Sequence, residues 1–139
     1  MIKFNYETDF KLKNEKNTAA WISCVITSEG LKEDEVNYVF CDDAYLHKLN
    51  VEFLRHDTLT DIISFDYSVG KIIQGDIFIS IPRVTENAKE FDVTFESEIN
   101  RVIVHGVLHY CGYKDKTEED AKVMRNKENF YLKQLVLNS

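Results

Sequence analysis

IISFDYSVGKIIQGDIFISIPRVTENAKEF, residues 62–91, reads as two strands followed by a helix. IISFDY is dense in β-branched and aromatic residues, a turn falls around Gly70, and GDIFIS (75–80) repeats the strand composition. Pro82 sits where a first helical turn tolerates it, because its missing N–H has no intrahelical partner there, so RVTENAKEF continues a helix opened at Ile81. Working outward, IKFNY (2–6) alternates and predicts a first strand. A helix is predicted from about Asn17 to Glu29, with Trp21, Cys24, Val25 and Ser28 at helical spacing and Gly30 as its stop. VNYVFCD (36–42) predicts a strand, and Asp42 or Asp43 caps a helix running through Leu46, Leu49, Asn50 and Phe53. Ser97 begins a helix that runs to Cys111. Thr117, followed by three acids, begins the last one, with Ala121, Met124, Tyr131, Leu132 and Leu135 on its apolar face. The predicted class is therefore α+β with α/β-like character: a single domain over residues 1–139, with one mixed, roughly four-stranded sheet packed against about five helices.

Composition narrows the functions. A chain of 139 residues buries roughly two-thirds of its unfolded surface, so neither disulfides nor a metal is needed for folding. Apolar residues at 44% and charged residues at 29% exclude a disordered chain. Cys24, Cys41 and Cys111 are odd in number and far apart, which predicts buried thiols in a reducing compartment. MIKFNYETDF lacks a basic segment followed by an apolar run, and no apolar run is long enough to span a bilayer, so the expected location is the cytoplasm with no membrane partner. The net charge of −7 argues against a broad basic surface for nucleic acid, so a polyanionic substrate must be met by a local patch. Lys11, Lys13 and Lys16 are one candidate, although a solvated helix start accounts equally for so short a run.

HGVLHYCGYKD (105–115) concentrates the chemistry. His105 and His109 differ by four positions, about 40° around a helix and about 6 Å along it, so both imidazoles share one face. Gly112 is a plausible left-handed terminator that turns the chain back, letting Asp115 face the same point. Cys111 lies well off the histidine face and is excluded as a ligand. The competing reading is an ordinary helix end that contains two histidines by chance. Gly106 stands where a zinc protease of the H-E-x-x-H type carries its general base. It either leaves room for a large substrate or serves helix packing.

With these residues in view, HGVLHYCGYKD resembles the H-G-x-L-H-L-x-G-Y-x-H signature of the YbeY endoribonuclease family, ribosomal RNA maturation factors. LNVEFLRHDTLTDIISFDY (49–67) is similar to that family's LN-x-x-Y-R-x-x-D-x-P-T-D-V-L-S-F segment, and GDIFISIPRVTENA (75–88) to its GDI-x-I-S stretch. The resemblance implies a single-strand-specific, metal-dependent endoribonuclease acting on ribosomal RNA, with the small ribosomal subunit or assembly factors as partners and no DNA substrate. Two departures stand out. Asp115 replaces the family's third metal-ligand histidine, which zinc tolerates, since carboxylate oxygens bind it at about 2.0–2.2 Å. The family arginine follows the segment's aromatic residue directly, whereas Arg55 stands two places after Phe53.

The predicted site has His105, His109 and Asp115 as ligands of one Zn2+, or another divalent transition metal, with His105 and Arg55 as catalytic residues. Three protein ligands leave a fourth position for water, whose pKa zinc lowers from 15.7 to about 7. Arg55, and secondarily Arg101, are candidates to neutralise charge on phosphorus, although a solvated loop cation accounts equally for Arg55 and pairing with Glu98 is the simpler use of Arg101. Arg55, Thr60 and Ser64 are the predicted substrate contacts, with Asp61 beside them; Thr and Asp before a strand also bond readily to local backbone. Asp76 either orients a ligand histidine or ends a turn, and His47 and His56 read as exposed. The alternatives are a hydrolase of another substrate, such as a peptide, and an assembly protein with a structural metal.

Overall fold

The computed structural model describes residues 1–54 and 60–137. In chain order the elements are β1 (Ile2–Tyr6), α1 (Glu15–Ser28), β2 (Lys32–Cys41), α2 (Asp43–Leu54), β3 (Ile62–Asp66), β4 (Ile72–Ser80), α3 (Ile81–Glu90), α4 (Phe95–Tyr110) and α5 (Glu118–Leu137). The four strands form one sheet in the order β1-β2-β4-β3. The first three neighbours run parallel, and β3 pairs antiparallel at the edge. This is the mixed sheet with five helices that the alternation of patterns predicts.

Alternation along β2 and β4 sends Val36, Tyr38, Phe40, Ile73, Ile77 and Ile79 to one face, where all are buried. Against that face lies α4, which buries Ile99, Val102, Ile103, Val104, Val107 and Leu108. Each such side chain contributes roughly 1.5–3 kcal/mol by leaving water, so α4 is fixed before any ligand is considered. Gly106 sets how close it lies. A Cβ there would stand 3.1 Å from Ile62 Cδ1 and 3.1 Å from Ile77 Cδ1, so packing against the sheet, and not space for substrate, accounts for this glycine. The hydroxyl of Tyr38 donates to the Ile103 carbonyl at 2.8 Å, tying sheet to helix. Trp21 Nε1 donates to the Tyr131 carbonyl at 2.9 Å, joining α1 to α5. The opposite face is thinner: Cys41, Leu46 and Ile63 form a small cluster under α2.

Several boundaries differ from the sequence reading. β2 and β4 begin earlier than predicted, because Lys32 and Glu33 pair with Ile72 and Ile73 before a register shift between Glu33 and Val36. In β2 the alternating burial that marks a strand is weakest there, whereas in β4 it is regular from Ile72 onward. α4 starts at Phe95 instead of Ser97, since Thr94 Oγ1 accepts from the Ser97 N–H at 3.1 Å and caps the helix. Of the three cysteines predicted to be buried, Cys41 is buried, Cys111 is half-buried and Cys24 is exposed, because its position on α1 faces away from the sheet. Burial pushes the Cys41 and Cys111 thiols up to about 12, which leaves both poor nucleophiles. Ala121 is exposed and not on the buried stripe of α5. Among the described residues, no helix is long and apolar enough to cross a membrane.

Candidate metal centre

The last two turns of α4 carry His105 and His109, and the chain that follows brings Asp115 to them. Gly112, at φ +104°, occupies the left-handed region that favours glycine. Its N–H donates to the His109 carbonyl at 3.0 Å, and Tyr113 N–H donates to the Leu108 carbonyl at 3.1 Å, which closes the helix with a Schellman turn. Tyr113 is then held by its hydroxyl, which donates to Glu29 Oε1 at 2.6 Å. Two residues later Asp115 Oδ2 stands 3.2 Å from His105 Nε2 and 3.5 Å from His109 Nε2.

The two Nε2 atoms are 2.9 Å apart. Four ligands held tetrahedrally at about 2.0–2.1 Å stand about 3.3 Å from one another, and the three edges of this triangle bracket that value. One oxygen and two imidazole nitrogens also form a donor set that suits zinc and its first-row neighbours. The residues present therefore fit a metal, as the sequence reading of His105, His109 and Asp115 expects; together they are the group able to hold an ion among the described residues.

Both Nδ1 atoms are engaged on the far side of the rings. His109 Nδ1 lies 3.0 Å from the Tyr113 carbonyl, which can only accept, so the proton sits on Nδ1 and the Nε2 lone pair faces the triangle. His105 Nδ1 lies 2.7 Å from Glu128 Oε2. Glu128, on α5, is 4% exposed. Arg101 donates to Glu128 Oε1 at 2.8 Å and to Asn129 Oδ1 at 2.8 Å. Burial favours the neutral form of Glu128, yet hydrogen bonds from His105 and Arg101 prevail and hold its carboxyl below the usual range. Burial likewise opposes charge on His105. There the Glu128 hydrogen bond, aided by the charges of Glu128, Asp115 and Asp61, prevails and raises the imidazole pKa. A metal-ligating histidine backed by a carboxylate is a recurrent way to fix ring orientation and raise ligand basicity.

A cleft of about 360 Å³ opens beside His105 and Asp115, bounded in part by Asp61, Glu98, Arg101 and Arg125. Arg101 borders this cleft, and the pairing with Glu98 expected from helical spacing is replaced by Glu128 and Asn129, because α5 packs across α4 and supplies them. Asp76 is not beside the histidines: its Oδ1 accepts from Asn37 Nδ2 at 3.0 Å on the sheet. The Thr60 hydroxyl donates to the Ile62 carbonyl at 3.3 Å, and Ser64 pairs opposite Ile77. Arg55 and His56 lie outside the described residues. Glu128 was missed. Its signal is a lone carboxylate on the otherwise apolar stripe of Met124, Tyr131 and Leu135.

Taken with the fold, this open three-donor triangle at the end of a buried helix, braced from a neighbouring helix by carboxylate and guanidinium, marks an α+β protein with a group able to hold a metal ion. The profile described as Endoribonuclease YbeY matches residues 2–136. The chain is 64% identical over 129 residues to the Endoribonuclease YbeY of Flavobacterium johnsoniae, covering 93% of each chain. It is 59% identical over 133 residues to that of Flavobacterium psychrophilum, covering 96% of this chain and 95% of the relative. A solution structure from Thermotoga maritima superposes with a TM-score of 0.72 at 28% identity, over 97% of this chain and 89% of that one. The chain belongs to the YbeY endoribonuclease family.

Proposed function

We propose that the protein is a metal-dependent endoribonuclease that cleaves single-stranded ribosomal RNA during maturation of the small-subunit 3′ end and in ribosome quality control. The observation that carries the reading is the His105–His109–Asp115 triangle opening on a cleft, in a chain of this family. The proposed ion is Zn2+, which when held there supplies Lewis acidity toward water and a phosphodiester oxygen.

The chain's own residues set the conditions for that chemistry. His109 is locked in one tautomer by the Tyr113 carbonyl, and His105 is oriented by Glu128, so two lone pairs converge without side-chain rearrangement. Arg101 neutralises Glu128, which keeps the carboxylate ionised in a buried position. Arg125, with a side chain 58% exposed on the cleft rim and only a 3.9 Å ion pair to Glu128, can turn to meet phosphate oxygens. Arg55 is assigned the same task, with Thr60 and Ser64 as further substrate contacts. A net charge of −7 disfavours unaided capture of long RNA, so a ribosomal small subunit or an assembly factor delivers the substrate, in the cytoplasm, to residues 1–139 acting as one domain.

A peptide hydrolase is less well supported, because position 106 holds glycine packed on Ile62 and Ile77 where the general base of that class stands. A purely structural metal calls for a fourth protein ligand, and the described residues bring three together. The test is metal analysis after chelator-free purification, followed by cleavage of single-stranded ribosomal RNA with and without chelator. About one zinc per chain and chelator-sensitive cleavage is the expected result. Undiminished cleavage by metal-free protein overturns it.

A further inference from the structure

Glu98 is 5% exposed and lines the cleft, yet among the described residues its carboxylate has neither a hydrogen-bond nor an ion-pair partner. The body of the side chain is buried while its oxygens open on the cleft, so the carboxylate meets solvent there with no protein donor and is available to a ligand. Completing the helix dipole does not account for it. Glu96 stands in the same first turn with its side chain 66% exposed and serves that purpose in water. Pairing with Arg101 does not account for it either, since Glu128 and Asn129 hold that guanidinium.

The surroundings match the parts of a nucleotide. Phe91, 57% exposed at the C-terminal end of α3, borders the same cleft and offers an aromatic face. Arg125 lies on the rim, 3.9 Å from Glu128 Oε1 and only loosely paired. Glu98 precedes His105 by seven residues on one helix face, about 10 Å along the axis, so a group bound there is offset from the ion by a distance that neighbouring nucleotides span. The cleft volume of about 360 Å³ falls within the range of ~300–1,000 Å³ typical of small-ligand sites.

Resting on the endoribonuclease reading above, we propose that Glu98 and Phe91 form a base subsite for guanine in the single-stranded RNA, with Phe91 stacking on the ring and Glu98 accepting from its Watson–Crick edge. The choice of base follows from donor geometry. Guanine presents two adjacent donors, N1–H and the N2 amino group, which an ionised carboxylate accepts together. Adenine and cytosine present one amino donor beside a ring-nitrogen acceptor, and uracil presents one N–H between two carbonyls, so each sets an acceptor against the carboxylate. Burial raises the Glu98 pKa, with the charges of Asp61 and Glu128 adding to it and Arg101 and Arg125 opposing, as expected of a carboxylate short of donors.

The experiment titrates the metal-loaded full chain with guanosine, inosine, adenosine and uridine 5′-monophosphates by calorimetry. Inosine keeps N1–H and lacks the amino group. Guanosine monophosphate is expected to bind about tenfold more tightly than inosine monophosphate, the worth of one hydrogen bond to a charged acceptor. Glu98→Gln, checked for an unchanged melting curve, should bring all four within about twofold while leaving uridine monophosphate binding as it was. Phe91→Leu should weaken all four by about tenfold with the guanine preference intact. Equal affinities in the wild type overturn the proposal, and that comparison needs no variant to fold. A second equivalent of Mg2+ or Mn2+ bound by the wild type and lost in Glu98→Gln overturns it in favour of a cation site. Cleavage of ribosomal RNA without any guanine preference leaves the endoribonuclease reading standing and removes the subsite. Guanine-selective binding without cleavage of any RNA does the reverse.

Discussion

Two glutamates flank the segment that follows α4, and they use the same chemistry for different ends. Glu29, at the end of α1, gathers the hydroxyls of Tyr113 and Tyr131 and the ammonium of Lys127. Glu128 gathers the His105 imidazole and the Arg101 guanidinium. Burial disfavours charge on each, and donors outweigh it in both, so both carboxyls sit below their usual range. The donors make the difference. Phenols and a lysine give Glu29 a clasp that fixes where the chain runs, whereas an imidazole gives Glu128 a lever on the atom opposite its bond. One carboxylate positions backbone and the other orients and charges an imidazole of the candidate metal group.

Asp115 tests the contrast most severely, because the Glu29 clasp carries it to the histidines. Asp115→Ala should lower metal affinity on the order of 100-fold and abolish RNA cleavage, while Asp115→His should retain metal. Replacing a carboxylate by a neutral imidazole also makes the bound centre more cationic, so Asp115→His should shift the pH–activity profile downward. Equal metal content in wild type and both variants would show that the clasp positions a turn residue and not a ligand.

Glu128→Ala comes next. Losing the carboxylate behind His105 should cost about 10–100-fold in metal affinity. Among the described residues it also removes the only anion paired with Arg101, whose side chain is 22% exposed and keeps just its bond to Asn129, at a cost of about 3 kcal/mol in stability. Calorimetric zinc titration and urea unfolding of the metal-free protein separate the two effects. An unchanged zinc affinity would reduce Glu128 to a second clasp like Glu29.

Acid separates the two roles by sign. Glu29 and Glu128 have folded pKa values below the ordinary 4.5, so their contribution to stability is present above that value and is lost as pH falls through the lower folded ones. His105 has a folded pKa above the ordinary 6.5, so its contribution to the metal-free fold is present below 6.5 and is lost as pH rises through the raised value. An ion needs that nitrogen unprotonated. Zinc affinity should therefore fall about tenfold per pH unit below the raised His105 value, while the metal-free fold holds until below the carboxylate range. Metal release and unfolding at one common pH would contradict this.

The smallest effect belongs to Glu29→Gln. It keeps an acceptor and loses the charge, so about 1–2 kcal/mol of stability should disappear by thermal unfolding, with zinc stoichiometry unchanged.

The parts of this arrangement that sequence discloses are those written in local periodicity. The His105–His109 spacing, the Gly112 stop and Asp115 all lie within one helix end and its turn, where 3.6-residue geometry alone fixes their relation. The strands were legible where β-branched and aromatic residues cluster, and their early residues, Lys32 to Glu35 and Ile72 to Gln74, were not. Glu128 was not, because its bond to His105 spans 23 residues and depends on the angle at which α5 crosses α4. The same crossing redirected Arg101 from its helical neighbour Glu98. Cys24 misled because a thiol among apolar neighbours in sequence need not face them in space.

The spread of the chain's contacts also orders events in time. The proposed ligands fall within the span 105–115, a helix end and its turn, so short a segment that its ends meet on a scale of about 10–100 ns. The clasp from Trp21 to Tyr131 joins residues 110 positions apart, and the parallel pairings of β1, β2 and β4 are likewise distant. Such topology folds slowly, and closing so short a loop removes little chain entropy that the sheet has not already removed. An ion bound there arrives after the fold and leaves without undoing it, so its turnover follows the breathing of a single turn and not the unfolding rate of the protein.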